Sequence, residues 1–368
     1  MRRLPTGPFA AALLALFTGA LLPSTCAAHT YHVYPEATEW DEILQCAGNS
    51  AGEGDTVLAA PGTYVVDPYD YWPIVLRNHE ECPCFMSESG PEVTIIQGDG
   101  TVPAFYIPDI STMDFPNIRI IGFTIRGASS PIEDREMCAI CGDVLIKDCI
   151  IENNGEGILL YACQNGELSG NIIRNNGRFG VAIAYFKGAF CRNEVTGHSV
   201  CGVQAAPSWY QCTFEDNVIS GNGSCGLYVN WGPQMRNNII ENNDGLGVGI
   251  EQGDTCVLER NIIRGNAVGI EVCDWTALDR ANGNDIYDNS EYDFQVHGHS
   301  RASPRTFDAT GNWWGTTDPA EIAERIYDAA DDPSLEITIL YDPWCAAPGC
   351  DPTGVEPASW GAIKALYR

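Results

Sequence analysis

Apolar residues recur along this chain in two short patterns that alternate with each other. The first is Asn-x-Ile-x-x-Asn, as at Asn171–Asn176, and the second is Gly-apolar-x-apolar, as in the four residues from Gly226. Successive copies of the first pattern lie between 21 and 24 residues apart, as their central apolar residues show: Ile151, Ile173, Val195, Ile219, Ile240, Ile263 and Ile286. The second pattern keeps the same step.

A repeat of nearly constant length predicts a solenoid, in which each repeat is one turn of a coil. About 22 residues hold two or three short strands and their bends, and the parallel strands of successive turns stack about 4.8 Å apart. Neither the six-residue period of left-handed coils nor the signature of leucine-rich repeats occurs in the sequence. We therefore predict an all-β, right-handed parallel β-helix of about 10 rungs of about 22 residues, with short helical caps.

The position of each residue within its repeat predicts its orientation. Side chains of a strand point alternately to its two faces, so the two apolar residues of each Gly-apolar-x-apolar segment should face the core. The last Asn of each first pattern falls at a bend. There we expect it to adopt left-handed backbone angles and to stack its amide on those of neighbouring rungs. These residues are Asn154, Asn176, Asn222, Asn243, Asn266 and Asn289.

The start of the chain predicts a secretory signal peptide over residues 1–28. Arg2 and Arg3 precede an apolar stretch, and small residues end at Ala28. Cleavage there would leave a chain that begins at His29. We expect the protein to be secreted, either extracellular or at the cell surface, or to reside in the periplasm.

Both ends of a solenoid expose core side chains and strand edges that must be covered. An amphipathic helix over Thr38–Cys46 should plug the first rung, and a helix over Pro319–Ala330 with a strand over Leu335–Tyr341 should close the last. The predicted units are a cap (29–54), the β-helix (55–318), a second cap (319–350), and a linker with a candidate sorting tail (351–368).

The charge of the chain narrows the choice of partners. It carries 49 acidic and 20 basic residues, a net charge of −29. Cleavage of the leader would remove Arg2 and Arg3 and leave a net charge of 18 − 49 = −31. Nucleic acid and anionic membranes are disfavoured, because binding to either depends on Lys and Arg. A polyuronate would need bridging Ca²⁺, whereas a neutral polysaccharide would not. We expect a monomer without a transmembrane segment after the leader.

Sixteen cysteines, of which Cys26 lies in the leader, predict several disulfides in a secreted chain. Cys201 and Cys225 occupy the same position in adjacent rungs, about 4.8 Å apart, which suits a disulfide. Cys345 and Cys350 enclose a short Pro-Gly turn and form a second candidate pair. A four-thiolate zinc site is the alternative use of one group of cysteines, namely Cys82, Cys84, Cys138 and Cys141.

The Asn-Ile-Ile and Gly-Ile-x-Val repeats resemble the pectate-lyase-like superfamily of right-handed β-helix proteins. The resemblance covers about residues 55–345, with an opening rung at Asp55–Tyr64 and a closing rung at Gly311–Gly315. It implies the scaffold and leaves the activity open, because the superfamily contains lyases, hydrolases, epimerases, phage spikes and copper-maturation proteins. The polygalacturonase-like and pectate-lyase-like catalytic motifs are missing, and Arg301–Arg305 only approximates a lyase motif.

In enzymes of this superfamily, outward residues on the Gly-Ile-x-Ile strand usually carry catalysis. That resemblance directs attention to Glu251 and Glu271, which should project from one face on adjacent rungs, offset by about 8 Å. Such a separation suits an inverting acid/base pair. A carboxylate Ca²⁺ site and a chance placement of two acids are the alternatives. The aromatic and acidic neighbours that could bind sugar rings are Tyr228, Trp231, Asp274 and Trp275.

The histidines offer a further metal hypothesis. An N-terminal His29 could chelate copper through its amine and imidazole with His32 close by, and His297 and His299 form a His-x-His pair. Only six histidines occur in the chain, so a bound metal is a minor alternative.

Three functions are compatible with these features. The preferred hypothesis is a secreted or surface β-helix scaffold that binds a polysaccharide or cell-surface glycan through the patch at Tyr228. The first alternative is a polysaccharide lyase or glycoside hydrolase that uses Glu251 and Glu271. The second is a purely structural surface protein.

Overall fold

The computed structural model describes residues 28–349 except 38, 40–43, 53, 67–73, 76–82, 108–116, 131, 135–140, 162, 185, 207–211, 231, 252–253, 274–276, 299–304 and 336. Over these residues the chain coils through three long parallel sheets. From Cys141 to His297 each full turn contributes one strand to each of them, and the three earlier turns place their third strand in a separate three-stranded sheet. The predicted parallel β-helix is confirmed.

The described strands belong to five sheets. The eleven-stranded sheet contains Thr30–Val33, Thr56–Ala59, Cys84–Ser87, Ile118–Ile121, Cys141–Lys147, Cys163–Ser169, Gly188–Cys191, Cys212–Glu215, Gln234–Arg236, Asp254–Glu259 and Ala277–Asn282. The ten-stranded sheet contains Gly62–Val65, Thr94–Gln97, Thr124–Arg126, Ile150–Glu152, Ile172–Arg174, Glu194–Thr196, Val218–Ser220, Ile239–Glu241, Ile262–Arg264 and Asp285–Tyr287. The eight-stranded sheet contains Ile158–Tyr161, Phe179–Ala184, Cys201–Ala206, Cys225–Asn230, Leu246–Glu251, Val268–Cys273, Tyr292–His297 and Ile326–Tyr327. Two small sheets contain Ile74–Val75, Phe105–Ile107 and Ile132–Asp134, and Arg305–Asp308 and Ile337–Leu340.

Equivalent apolar residues of successive rungs lie directly above one another in the core. Ile173 pairs with Val195, and Val195 pairs with Ile219. Every member of the file from Ile151 to Ile286 has no exposed surface. Because β-branched side chains pack well on a pleated strand, one Ile or Val per rung builds a continuous core.

Two ladders of buried amides follow the bends. In one, Asn176 Oδ1 accepts hydrogen bonds from both the backbone N–H and Nδ2 of Asn154, at 3.1 and 2.9 Å. This predicted ladder consists of Asn154, Asn176, His198, Asn222, Asn243, Asn266 and Asn289. A second ladder, which the sequence analysis did not identify, consists of the first Asn of each pattern: Asn171, Asn193, Asn217, Asn238, Asn261, Asn284 and Asn312.

The prediction that the ladder asparagines themselves adopt left-handed angles was wrong by one residue. The positive φ angle falls on the preceding position, at Asn153 (55°), Asn175 (53°) and Asn242 (56°). The bend must turn the chain before the ladder residue, because the amide of that residue points inward and stacks on the next rung. Asn, Gly or Asp at the preceding position carries the left-handed angle without a large penalty.

The caps differ from their predicted bounds. Helix α1 covers Leu44–Ser50, and the predicted start at Thr38 lies outside the described residues. Helix α2 covers only Pro319–Glu324, because Ile326 and Tyr327 instead pair with the last long strand of the eight-stranded sheet. This pairing gives backbone N–H and C=O groups on the edge of that strand ladder partners that a further helical turn would not supply. A 3₁₀ turn (Pro333–Leu335) then precedes Ile337–Leu340.

No helix in the described part of the chain is long and apolar enough to cross a membrane.

Candidate functional site

The outward face of the eight-stranded sheet consists of three files of side chains that run along the solenoid. The apolar file contains Phe179, Cys201, Cys225, Leu246, Val268 and Tyr292. The middle file contains Leu159, Ala182, Gln204, Tyr228, Gly249, Glu271 and Gln295. The outer file includes Asn230, Glu251, Cys273 and His297, and its register also takes in Tyr161, Ala184 and Ala206. This register agrees with the sequence prediction.

The apolar file contains the predicted disulfide between Cys201 and Cys225, whose Cα atoms lie 4.6 Å apart. It joins adjacent rungs at the edge of the candidate site. Cys345 is also disulfide-bonded, and its predicted partner Cys350 lies outside the described residues.

Tyr228 lies across the neighbouring rung because that rung carries a glycine. A Cβ atom at Gly249 would stand 2.6 Å from Tyr228 Cδ2, so the aromatic ring occupies the space that any other residue would fill. From this position the Tyr228 hydroxyl donates to Glu251 Oε2 at 2.8 Å. Burial and the adjacent Glu251 carboxylate raise the pKa of Tyr228, so the phenol stays a neutral donor.

Glu271 occupies the rung after Gly249 and the same face as Glu251. Gln295, one rung further in the middle file, donates its Nε2 to Glu271 Oε2. Each of the two predicted carboxylates is therefore held by a neutral donor and remains partly exposed.

The acids of the other two long sheets have different partners. Glu152 and Glu241 on the ten-stranded sheet pair with Arg174 and Arg264, at 2.6 and 2.8 Å. On the eleven-stranded sheet, Glu259 accepts from Arg236 at 2.9 Å and also from Arg280. Within the described residues neither Glu251 nor Glu271 forms an ion pair, so these two charges differ from the structural Arg–Glu pairs.

Three predicted site residues, Trp231, Asp274 and Trp275, lie outside the described residues. In the chain, Trp231 directly follows Asn230, and Asp274 directly follows Cys273, so both come just after the outer file. Gln295 and its contact with Glu271 were not predicted from the sequence. Continuing the register past Gly269 would have found it, but Asp293 stands where the other rungs carry glycine and interrupts the pattern.

Among the described residues, no group of three or more His, Cys, Asp or Glu side chains is placed to hold a metal ion. The backbone N–H of His29 donates to Asp55 at 2.7 Å, and His32 Nδ1 lies 3.4 Å from Glu88 Oε1. The two histidines of the copper hypothesis thus have separate partners. His297 ends the outer file, and His299 lies outside the described residues.

Comparisons with known proteins agree on the fold. The family model described as "Right handed beta helix region" matches residues 116–208 and 141–290. Among solved structures, the A-module of mannuronan C-5 epimerase AlgE6 from Azotobacter vinelandii superposes with a TM-score of 0.52 and 14% identity, covering 88% of this chain and 100% of the module. The AlgE4 A-module from the same organism gives 0.51 and 16%, covering 87% and 100%. No curated protein matches the sequence. At these identities the likeness concerns the fold alone.

Proposed function

We propose that this right-handed parallel β-helix binds a polysaccharide along the outward face of its eight-stranded sheet. The observation that carries the proposal is the Tyr228 ring, which lies across Gly249 and is held there by Glu251. Trp231 and Trp275 complete the proposed binding patch.

The chemistry of this face suits sugars. An aromatic ring packs against the apolar face of a sugar ring, while carboxylate and amide groups bind its hydroxyls. Successive rungs lie about 4.8 Å apart along the solenoid, so a polymer parallel to the axis passes the outward side chains of several rungs in turn. Convergent polar groups beside aromatic surface are the usual features of a ligand site.

Binding to a polysaccharide panel, measured by glycan array and titration calorimetry, tests the proposal. Tyr228→Ala should weaken binding by roughly tenfold or more, as expected for an aromatic anchor. Trp231→Ala and Trp275→Ala should also weaken it. Tyr287→Ala serves as the control, because Tyr287 lies on the ten-stranded sheet beside Arg264. A panel without binding above background, or full binding by Tyr228→Ala, would refute the proposal.

A second candidate function is cleavage of the bound polymer by a lyase or glycoside hydrolase mechanism. It is favoured by the placement of Glu251 and Glu271 on adjacent rungs of one face without an arginine partner in the described residues. Assays for reducing ends and unsaturated uronates would detect it, and Glu251→Gln and Glu271→Gln should then abolish turnover. A protein inert in binding and cleavage would instead support the purely structural role.

We further propose an extracellular, cell-surface or periplasmic location. The disulfide between Cys201 and Cys225 supports an oxidising compartment. N-terminal sequencing of the natural protein should find His29 as the first residue, and an uncleaved leader would contradict this expectation.

We also propose that the protein is a monomer. Light scattering should report the mass of one chain, and a larger mass would contradict this proposal.

A further inference from the structure

We infer that the polysaccharide on this face is uncharged, and that Glu251 and Glu271 exclude polyuronates from it. The inference rests on the proposed binding function and specifies the class of ligand. The location of the site follows from the Tyr228 ring, and the two carboxylates determine which sugars that ring can bind.

No Lys or Arg occurs in any of the eight strands that form this face, and His297 at the end of the outer file is the one histidine in them. The chain from Asn193 to Met235, which includes two of these strands and the segments after them, also lacks Lys and Arg. Recognition of an acidic sugar normally uses such cations, because a guanidinium or ammonium compensates the carboxylate. The arginines at Arg174, Arg236 and Arg264 lie on the other two sheets, where each pairs with a glutamate.

The two carboxylates keep acceptor capacity for a ligand. Tyr228 and Gln295 each donate to an Oε2 atom. In the part of the chain that the structure describes, Oε1 of Glu251 and Oε1 of Glu271 accept no hydrogen bond. A carboxylate oxygen is an acceptor only, so its natural partner is a hydroxyl donor. An uncharged sugar supplies hydroxyls in abundance and needs no counterion.

A uronate on the same surface meets the opposite situation. Its carboxylate would come within a few ångströms of Glu251 or Glu271, and like charges at about 5 Å near a protein surface repel strongly enough to weaken binding tenfold or more. The net charge of −29 adds a long-range repulsion that salt screens. Hydrogen bonds to the hydroxyls of a neutral sugar do not depend on salt concentration in this way.

The test titrates the full chain with neutral glucans, mannans and xylans and with polygalacturonate and alginate, each with and without CaCl₂. We expect a neutral polymer to bind with an affinity that changes less than about twofold between low and moderate salt. Glu251→Gln and Glu271→Gln should each weaken that binding by roughly tenfold, because a charge-assisted hydrogen bond becomes a neutral one. The double variant should gain measurable binding to polygalacturonate, which the unaltered protein should not bind.

Glu241→Gln is the matched control, since it removes one negative charge from the ten-stranded sheet, where Glu241 pairs with Arg264. This variant should change the binding of neither neutral nor acidic polymers. It therefore distinguishes the effect of charge at the site from the effect of the net charge of the protein. Polyuronate binding by the unaltered protein, with or without Ca²⁺, at an affinity equal to or above that of any neutral polymer would overturn the inference and leave the binding function standing. Absence of binding to every polymer would refute the binding function itself.

Discussion

The buried amide ladders show how single residues determine the fit between rungs. An Asn at a ladder position donates its backbone N–H and its Nδ2 to the next amide oxygen, and donates Nδ2 also to a carbonyl of the rung before, as Asn176 does to Ile151. The side-chain oxygen and nitrogen of such a ladder Asn then both have partners, which avoids the penalty of an unsatisfied buried group. His198 and Asp293 depart from this pattern, and each departure allows a prediction.

His198 replaces the amide in the middle of its ladder. Its side chain is buried, Nε2 lies 3.2 Å from the Ile173 carbonyl, and Nδ1 has no partner. Burial also lowers the pKa of His198, so the ring is neutral. His198→Asn should restore the ladder and raise the free energy of unfolding by about 1–3 kcal/mol, measured by denaturant titration. The reciprocal control, Asn222→His, should lower it. A loss of stability in His198→Asn would contradict this account.

Asp293 ends the same ladder, because its Oδ1 accepts a hydrogen bond from Nδ2 of Asn289 at 2.8 Å. Burial raises the pKa of this carboxyl to about 6, and the charge of Asp288 adds to the increase. Hydrogen bonds from Asn289 and the charge of Arg325 act in the opposite direction and lower the pKa. The pKa of Asp293 is higher in the folded than in the unfolded chain. Its contribution to the free energy of unfolding is therefore fully present below about pH 4 and is lost as the pH rises through 6. The total change is about 3 kcal/mol.

Asp293→Asn should remove that dependence. The difference in unfolding free energy between variant and unaltered protein should move in favour of the variant by up to about 3 kcal/mol between about pH 4 and pH 8. Denaturant titrations at several pH values measure it. The difference, rather than the absolute curve, isolates Asp293 from the other acids, and a difference independent of pH would show that the group does not titrate in this range.

At the scale of elements, each strand is stabilised mainly by its two neighbours in the sheet. A strand of only three residues, such as Ile172–Arg174, could not persist alone, yet it places the buried side chain of Ile173 in the core. Arg–Glu pairs such as Arg174–Glu152 connect rungs on the exposed surface, where ion pairs contribute little. Apolar burial and the ladders therefore hold successive strands together.

The disulfide on the eight-stranded sheet adds a covalent link between two neighbouring rungs. Cys201 and Cys225 are separated by 24 residues, and closing a loop of that length in the unfolded chain should contribute about 3 kcal/mol. The double variant Cys201→Ser/Cys225→Ser should lose about that amount under oxidising conditions, measured by denaturant titration. Reduction of the unaltered protein provides a comparison. Equal stability of the two proteins before reduction would show that the link contributes nothing.

At the scale of the whole molecule, the solenoid is nearly one-dimensional. Each rung contacts the rungs before and after it, so its stability is close to a sum over rungs and their interfaces. Charge is distributed unevenly around the coil. Arginines pair with acids on two sheets, whereas on the third sheet Glu251 and Glu271 have no arginine partner among the described residues. The third face is the one on which we propose the binding site.

Removal of one complete rung should therefore be tolerated. Deleting Ile239–Asn261 joins Asn238 to Ile262, and because Asn238 and Asn261 are 23 residues apart in one ladder, every register is kept. The shortened protein should fold cooperatively with a lower melting temperature and, lacking Glu251, lose binding. Deleting residues 239–249 instead should prevent folding, because the register is broken. Circular dichroism melts distinguish the two variants, and equal behaviour would argue against rung-by-rung stability.

The sequence by itself determined whatever repeats. The core file at Ile173, Val195 and Ile219, the ladder from Asn154 and the Cys201–Cys225 disulfide all follow from one spacing, because equal positions in successive rungs must face equal surroundings. The same spacing placed Glu251 and Glu271 on one face.

Tertiary structure decided what occurs only once. The end of helix α2 at Glu324 depends on a strand edge about 30 residues earlier, at Phe294. The contact of Tyr228 with Glu251 depends on the missing side chain of Gly249, and the contact of Glu271 with Gln295 crosses the rung where Asp293 interrupts the motif. Such contacts join side chains of different rungs diagonally, so they depend on size and reach in three dimensions and leave no period in the sequence.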